Sequence, residues 1–181
     1  MPATDPLIHA VVTAALVVLW GHAAVVKLRD RERLEGVVAG YRLLPAALAP
    51  TVSRVLPAVE LALAAGLVGS ATRGVAALAS AALLAVYGAA VAINLVRGRR
   101  AIDCGCGGRP RPIHPWLVGR NVVLAAVSAS LVVPVAPREL GPLDAVNAAM
   151  MLAAAIGLYA TLEQWLHNRQ ALVGAAGSRE G

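Results

Sequence analysis

Phenylalanine is absent from this 181-residue chain, cysteine occurs only twice, and charged residues make up just 14% of it. A chain so poor in charge cannot furnish the polar surface of a water-soluble domain. No Ser/Gly-rich linker is long enough to separate two modules, so the chain reads as a single domain, 1-181. There is no convincing internal repeat, no Gly-rich phosphate loop, and neither a CxxC nor an HxxH pair. The first six residues carry Asp5 but no Lys or Arg, unlike the basic start of a signal peptide, so the first apolar run is expected to stay in the mature protein.

What is abundant is apolar. Hydrophobic residues reach 59% and the mean hydropathy is +0.71, which points to a polytopic membrane protein. The predicted class is an all-α bundle of four core transmembrane helices plus a fifth, with an interfacial amphipathic helix between the first two. The expected spans are 7-26, 52-68, 74-96, 116-135 and 143-165, lengths that suit ~30 Å of hydrocarbon. Between the first two, Leu34, Val37, Val38, Tyr41 and Leu44 recur at helical spacing after a dense run of charge. That pattern predicts a helix lying at the headgroups and stopped by Pro45. Pro50 and Pro57 bracket the start of the second span, and Ala81, Ala85 and Ala89 offer a small-residue stripe in the third. His9 and His22 in the first span are expected to turn into the bundle rather than to act as ligands, and Trp20 to sit at the interface.

The formal charge of +6 would favour nucleic acid in a soluble protein. Here the arginines fall in short loops, where they set orientation and meet lipid headgroups, so no nucleic-acid partner is expected. Six Lys or Arg lie between Lys27 and Arg54 and six more between Arg97 and Arg120, against only Arg73 and Arg138 in the loops of the other face. This bias predicts a bacterial-type cytoplasmic (inner) membrane protein with its N-terminus outside and both basic loops inside.

Both cysteines fall in one of those loops, Asp103-Cys104-Gly105-Cys106-Gly107-Gly108. Glycine between and after them lets the backbone turn tightly enough to bring the sulfurs together. A thiolate is the nucleophile of disulfide exchange, and Arg99, Arg100, Arg109 and Arg111 are neighbours that favour it. A disulfide across one intervening residue is a strained ring, suited to passing electrons rather than bracing a fold. Two other readings stand beside this one. Two thiolates also suit a soft metal such as Cu(I), with His114 and Asp103 as further candidate ligands for zinc. Alternatively, the bundle is a non-catalytic assembly subunit that only docks a partner.

Lys27, Glu60, Asn94, Arg120 and Asn121 all approach the membrane face that carries the cysteines, which predicts a polar pocket beneath the loop. A carboxylate as deep as Glu60 needs a cationic partner or a proton, and Arg120 is the expected partner. A quinone beside the loop, near Arg120 and Glu60, is compatible with this arrangement but has no motif of its own.

The run Asn94-Leu95-Val96-Arg97-Gly98-Arg99, then Ile102 to Gly108, Trp116 and Arg120-Asn121, resembles the MauE family of methylamine-utilisation membrane proteins, distantly related to DoxX-like proteins. Lys27, Tyr41-Arg42-Leu43-Leu44-Pro45 and Leu56-Pro57 with Glu60 resemble the same family's first half, so the likeness covers about Leu7 to Val135. Gly108 departs from the pattern, since many relatives have an aromatic residue there. The resemblance implies a role in maturing methylamine dehydrogenase, a periplasmic quinoprotein with a disulfide-rich small subunit, together with a thioredoxin-like partner. It also implies that Cys104 and Cys106 are a redox pair, by similarity to the disulfide-generating bundles of the DsbB and VKOR type. Those proteins use a second cysteine pair, which this chain lacks. Either the topology is inverted, or the loop exchanges electrons on the cytoplasmic side and the relay is completed elsewhere; the arginine count favours the second.

Overall fold

The computed structural model describes residues 3–105 and 112–177; within the last helix, the side chains of 163, 166, 167 and 169–177 fall outside the description. Cys106, Arg109 and Arg111 therefore lie outside the described residues. Asp5 accepts a hydrogen bond from the Leu7 N–H (2.7 Å) and Pro6 occupies the first turn of α1, Pro6–Arg29. At its other end Asp30 closes α1 and, by accepting from the Arg33 N–H (3.1 Å), opens α2, Arg31–Tyr41. A single residue thus separates a membrane-crossing helix from the amphipathic one. Leu34 of α2 is buried, while Arg31, Glu32 and Glu35 are exposed.

Pro45 does not end α2. Arg42 does, three residues earlier, by adopting a left-handed conformation (φ 49°), and Pro45 starts a short 3-10 turn, Ala46–Leu48. Helix α3, Ala49–Val68, follows, with Pro57 inside it rather than at its edge. Pro57 has no N–H to give the Ser53 carbonyl, and its ring is fully buried in the bundle. Next come α4, Arg73–Val96, then α5, Pro115–Ala129, then α6, Pro142–Gly177. Helix α5 ends sooner than its apolar run, the chain tightening into a 3-10 turn at Ser130–Val132. Helix α6 continues beyond Trp165 to Gly177, although its apolar stretch stops at Leu162. Five of these segments are long and apolar enough to cross a bilayer, which makes the chain a multi-pass membrane protein.

Helix α1 packs on α3 and α4 on α5, while α6 lies at the periphery with no buried residue in its apolar span. The core is formed by Leu16, Trp20, Leu63, Leu67, Ala77, Leu84 and Leu131. Trp20 is not interfacial: it is 1% exposed and donates to Ser80 Oγ (3.0 Å), a bond that ties α1 to α4. Ser128 donates to the Ala77 carbonyl (2.9 Å), tying α5 to α4. His9 is turned inward, its Nε2 3.3 Å from the Leu131 carbonyl, whereas His22 is exposed. The alanine stripe proposed for α4 is misplaced by rotation. Ala85 and Ala89 are exposed, and the buried face of the helix carries Ala77, Ser80, Leu84, Gly88 and Val91. At Gly88 the backbones of α4 and α5 come so close that a Cβ would stand 3.3 Å from Asn121 Cβ.

On the face opposite the cysteine loop, Thr4 bridges the segment after α5, donating to Pro134 O and accepting from Ala136 N (both 2.9 Å). Arg138 joins Asp5 (3.2 Å) to Asp144 (3.1 Å). The Leu7 N–H, and after it the Arg138 guanidinium, hold the Asp5 carboxyl below its ordinary value.

Two outcomes follow from this packing. Gly88→Leu should overpack the α4–α5 contact and cost about 1–3 kcal/mol in detergent unfolding, with Gly74→Leu, where nothing lies within 4 Å, as the neutral comparison. Because the folded-state value of Asp5 is depressed, its contribution is present above its unfolded pKa of roughly 3.9 and disappears as pH falls through the lower folded value. A thermal-midpoint profile should therefore lose part of its acid limb in Asp5→Asn; identical profiles would show that the charge of Asp5 has no energetic role.

Candidate functional site

The cysteine loop is built onto α2. Its two legs meet where Ile113 N donates to Ile102 O (2.9 Å) and Asp103 bridges Pro112. Ile113 is buried with Val91 and Leu117, and Ile102, Tyr41 and Cys104 pack against this cluster, so Cys104 is half-buried at its edge. Arg33 places two N–H groups, Nε (3.0 Å) and Nη2 (2.8 Å), on Asp103 Oδ2. The other oxygen of Asp103 accepts from the Gly105 N–H (3.2 Å), closing a turn around Cys104. Tyr41 donates to the Cys104 carbonyl (3.5 Å).

Gly105 has φ +68°, and a Cβ there would lie 2.8 Å from Val37 Cγ1. Glycine is required at this position on both counts: backbone conformation and direct approach to α2.

Asn94 and Arg99 supply a second fastening. Arg99 donates to the carbonyls of Gly40 (2.9 Å) and Tyr41 (3.2 Å), the last of α2, where a cation meets the negative end of the helix. Asn94, fully buried, orients Arg99 through its Oδ1 (3.0 Å) and is itself held by the Ala90 carbonyl (3.1 Å). Asn94 thus reaches the end of α2 through Arg99.

The expected pairing of Glu60 with Arg120 is incorrect. Glu60 is fully buried and its Oε1 is shared by the Lys27 ammonium and the Tyr87 hydroxyl (2.7 Å). Lys27 also lies 5.3 Å from the centre of the Tyr87 ring, and that ring stands 6.3 Å from Trp20. Among the described residues, Glu60 Oε2 has no hydrogen-bond partner. Arg120 instead donates to Tyr159 Oη (2.8 Å), fastening α5 to the peripheral α6. Asn121 is 2% exposed and faces Gly88. The polar residues thus form separate groups on different helix pairs rather than one pocket.

Lys27 connects the buried group to the surface. It forms part of a cleft of about 210 Å³ between the end of α1, the start of α2 and Gly105 of the loop. His114 caps α5, its Nδ1 accepting from Trp116 N (3.3 Å). Among the described residues no three His, Cys, Asp or Glu side chains converge as metal ligands. Arg33, Tyr41, Val37 and Tyr87 belong to the site and escaped expectation. Val37 and Tyr41 were legible only as the apolar face of the amphipathic helix, and the signal for Tyr87 was that of a phenol in mid-span that must find an acceptor.

The class these features define is a polytopic helical membrane protein that holds a cysteine-bearing turn against its own interfacial helix. Within that class the chain belongs to the MauE family: the family described as "Methylamine utilisation protein MauE" matches residues 5–134. The chain is 42% identical over 144 residues to the methylamine utilization protein MauE of Methylorubrum extorquens, covering 77% of each chain. Against the protein of the same name from Paracoccus denitrificans it is 43% identical over 129 residues, 70% of this chain and 69% of that one. The Methylophilus methylotrophus protein is 36% identical over 157 residues, 85% of this chain and 82% of its own. No solved structure matches the chain.

Removing one member of a buried ion pair leaves the other uncompensated, at about 3–5 kcal/mol. Lys27→Met should therefore destabilise the detergent-solubilised protein strongly, and Lys27→Met combined with Glu60→Leu should recover most of the loss. If the double variant is no more stable than the single one, Lys27 does not neutralise Glu60.

Proposed function

We propose that this chain is a membrane-embedded thiol-disulfide exchange factor of methylamine utilisation, acting in the maturation of a secreted redox enzyme such as methylamine dehydrogenase. The observation that carries this reading is the fastening of Cys104: Asp103 held by Arg33, Gly105 seated on Val37, and the Cys104 carbonyl met by Tyr41. A sulfur that must meet another protein's sulfur in line gains from a preset turn, and the basic surroundings favour its thiolate.

In the proposed cycle Cys104 and Cys106 begin as a disulfide. A thiolate of a thioredoxin-like partner attacks one of the two sulfurs, forming a mixed disulfide and releasing the other sulfur as a thiolate. The partner's second thiol then attacks the mixed bond and leaves with its own disulfide. Two electrons and two protons have moved to the loop, which returns them to the disulfide of a second protein and is reoxidised. The exchange uses only protein sulfur. The arginine bias supports a loop on the cytoplasmic side of the inner membrane with the N-terminus outside, and in this reading the relay to a periplasmic substrate is completed by another protein.

Cys104→Ser and Cys106→Ser should each abolish turnover, and one of them should accumulate a reducible covalent adduct with the partner on non-reducing gels. Full methylamine dehydrogenase activity in cells carrying both substitutions would overturn the proposal. Membrane-impermeant thiol labelling of intact and inverted vesicles, before and after reduction, reports the face and the oxidation state together.

A further inference from the structure

The cleft beside the cysteine turn has a lining that thiol chemistry does not explain. Three cations, Lys27, Arg29 and Arg33, face it together with Val26, Leu34 and Val37. Among the described residues its one acidic side chain, Asp30, is engaged in capping α2. Lys27 and Arg33 each have an internal carboxylate, on Glu60 and Asp103, but Arg29 is exposed and makes no hydrogen bond or ion pair among the described residues. The two bonds from Arg33 to Asp103 Oδ2 use Nε and Nη2 and leave the Nη1 edge over.

Position adds to composition. The cleft is the elbow where the membrane-crossing α1 gives way, after Asp30 alone, to the amphipathic α2, and the end of a span is where lipid phosphates lie. Below it the outer side of α1 carries Val25 and Leu28, both exposed to the surroundings, with the exposed His22 one turn deeper. An anion lodged at Arg29 in this elbow has hydrocarbon immediately beneath it. A soluble phosphate would leave that surface unused, whereas an acyl chain covers it.

We propose that this cleft is a binding site for the headgroup of an anionic phospholipid, its phosphate taken by Arg29 and by the remaining edge of Arg33, its acyl chains lying along the Val25 and Leu28 side of α1. The site is independent of the thiol exchange proposed above and holds whether or not Cys104 reacts.

The test uses the full chain purified in a neutral detergent. Phosphatidylglycerol and phosphatidylcholine of identical acyl chains are titrated against it, with bound lipid counted by native mass spectrometry and the thermal midpoint followed in parallel. Glycerol 1-phosphate serves as the soluble arm. Phosphatidylglycerol should bind more tightly than phosphatidylcholine, and Arg29→Gln should weaken it about fivefold, the worth of roughly one interfacial cation. Arg100→Gln, an exposed cation of the same face that does not line the cleft, should leave the preference intact. Equal binding of both lipids, or an Arg29→Gln protein with unchanged preference, overturns the proposal. Saturation by glycerol 1-phosphate at the concentrations that suffice for lipid overturns it too, by making the ligand a soluble phosphate. Counting bound lipid by mass keeps the result readable if the variant shifts the thermal midpoint for other reasons.

Discussion

A carboxylate with no exposed surface, Glu60, sits inside a bundle that has almost nothing else to offer a charge. Hydrocarbon supplies no compensating hydrogen bonds, so each polar group in a span must find its partner within the protein. Lys27 from α1 and Tyr87 from α4 meet that need together on one oxygen of α3. The three helices are thereby fixed in depth and rotation about a single point. A pair of this kind contributes little net stability over an apolar filling, but it is costly to break, and that asymmetry favours one packing over its alternatives. Trp20 on Ser80 and Ser128 on the Ala77 carbonyl repeat the device at smaller scale.

With the end of α1 held by Lys27, the position of α2 follows, because Asp30 alone joins the two helices. The cysteine loop is then laid on α2 by contacts of three kinds: charge at Arg33 and Asp103, close backbone approach at Gly105 and Val37, and the cation of Arg99 on the last carbonyls of the helix. A surface loop would ordinarily be the most mobile part of such a chain. Here the turn around Cys104 is referred, through α2 and Lys27, to the most deeply buried charge among the described residues.

Much of the frame was legible beforehand. Long apolar runs announced the five spans, the spacing of Leu34, Val37 and Tyr41 announced the helix at the headgroups, and the depth of Glu60 announced that it needed a partner. The identity of that partner was not legible, and Arg120 was the wrong choice because its depth agreed but its helix packs on α4, away from Glu60, and its guanidinium turns to Tyr159. Trp20 and the small residues of α4 were misjudged for a related reason. Where every face of a helix is apolar, hydrophobic periodicity carries no contrast between the side toward protein and the side toward lipid. Gly88, not the alanine stripe, marks the close contact, and only its approach to Asn121 reveals this. In α2, where polar and apolar faces differ, Leu34, Val37, Val38 and Tyr41 were read correctly as the inward side, but Leu44 lies beyond the end of the helix and is exposed.

By itself, the sequence determined how many segments are apolar enough to cross the bilayer, roughly where each lies, and which loop carries the sulfur. The free energy of placing a charge or an apolar side chain in hydrocarbon is a property of the segment alone. Tertiary structure alone decided that Lys27 answers Glu60, that Arg33 holds Asp103 from 70 positions away, and that Gly105 rests on Val37. Such contacts depend on the relative depth and rotation of separate helices, and those are set by packing between elements rather than by any pattern within one of them.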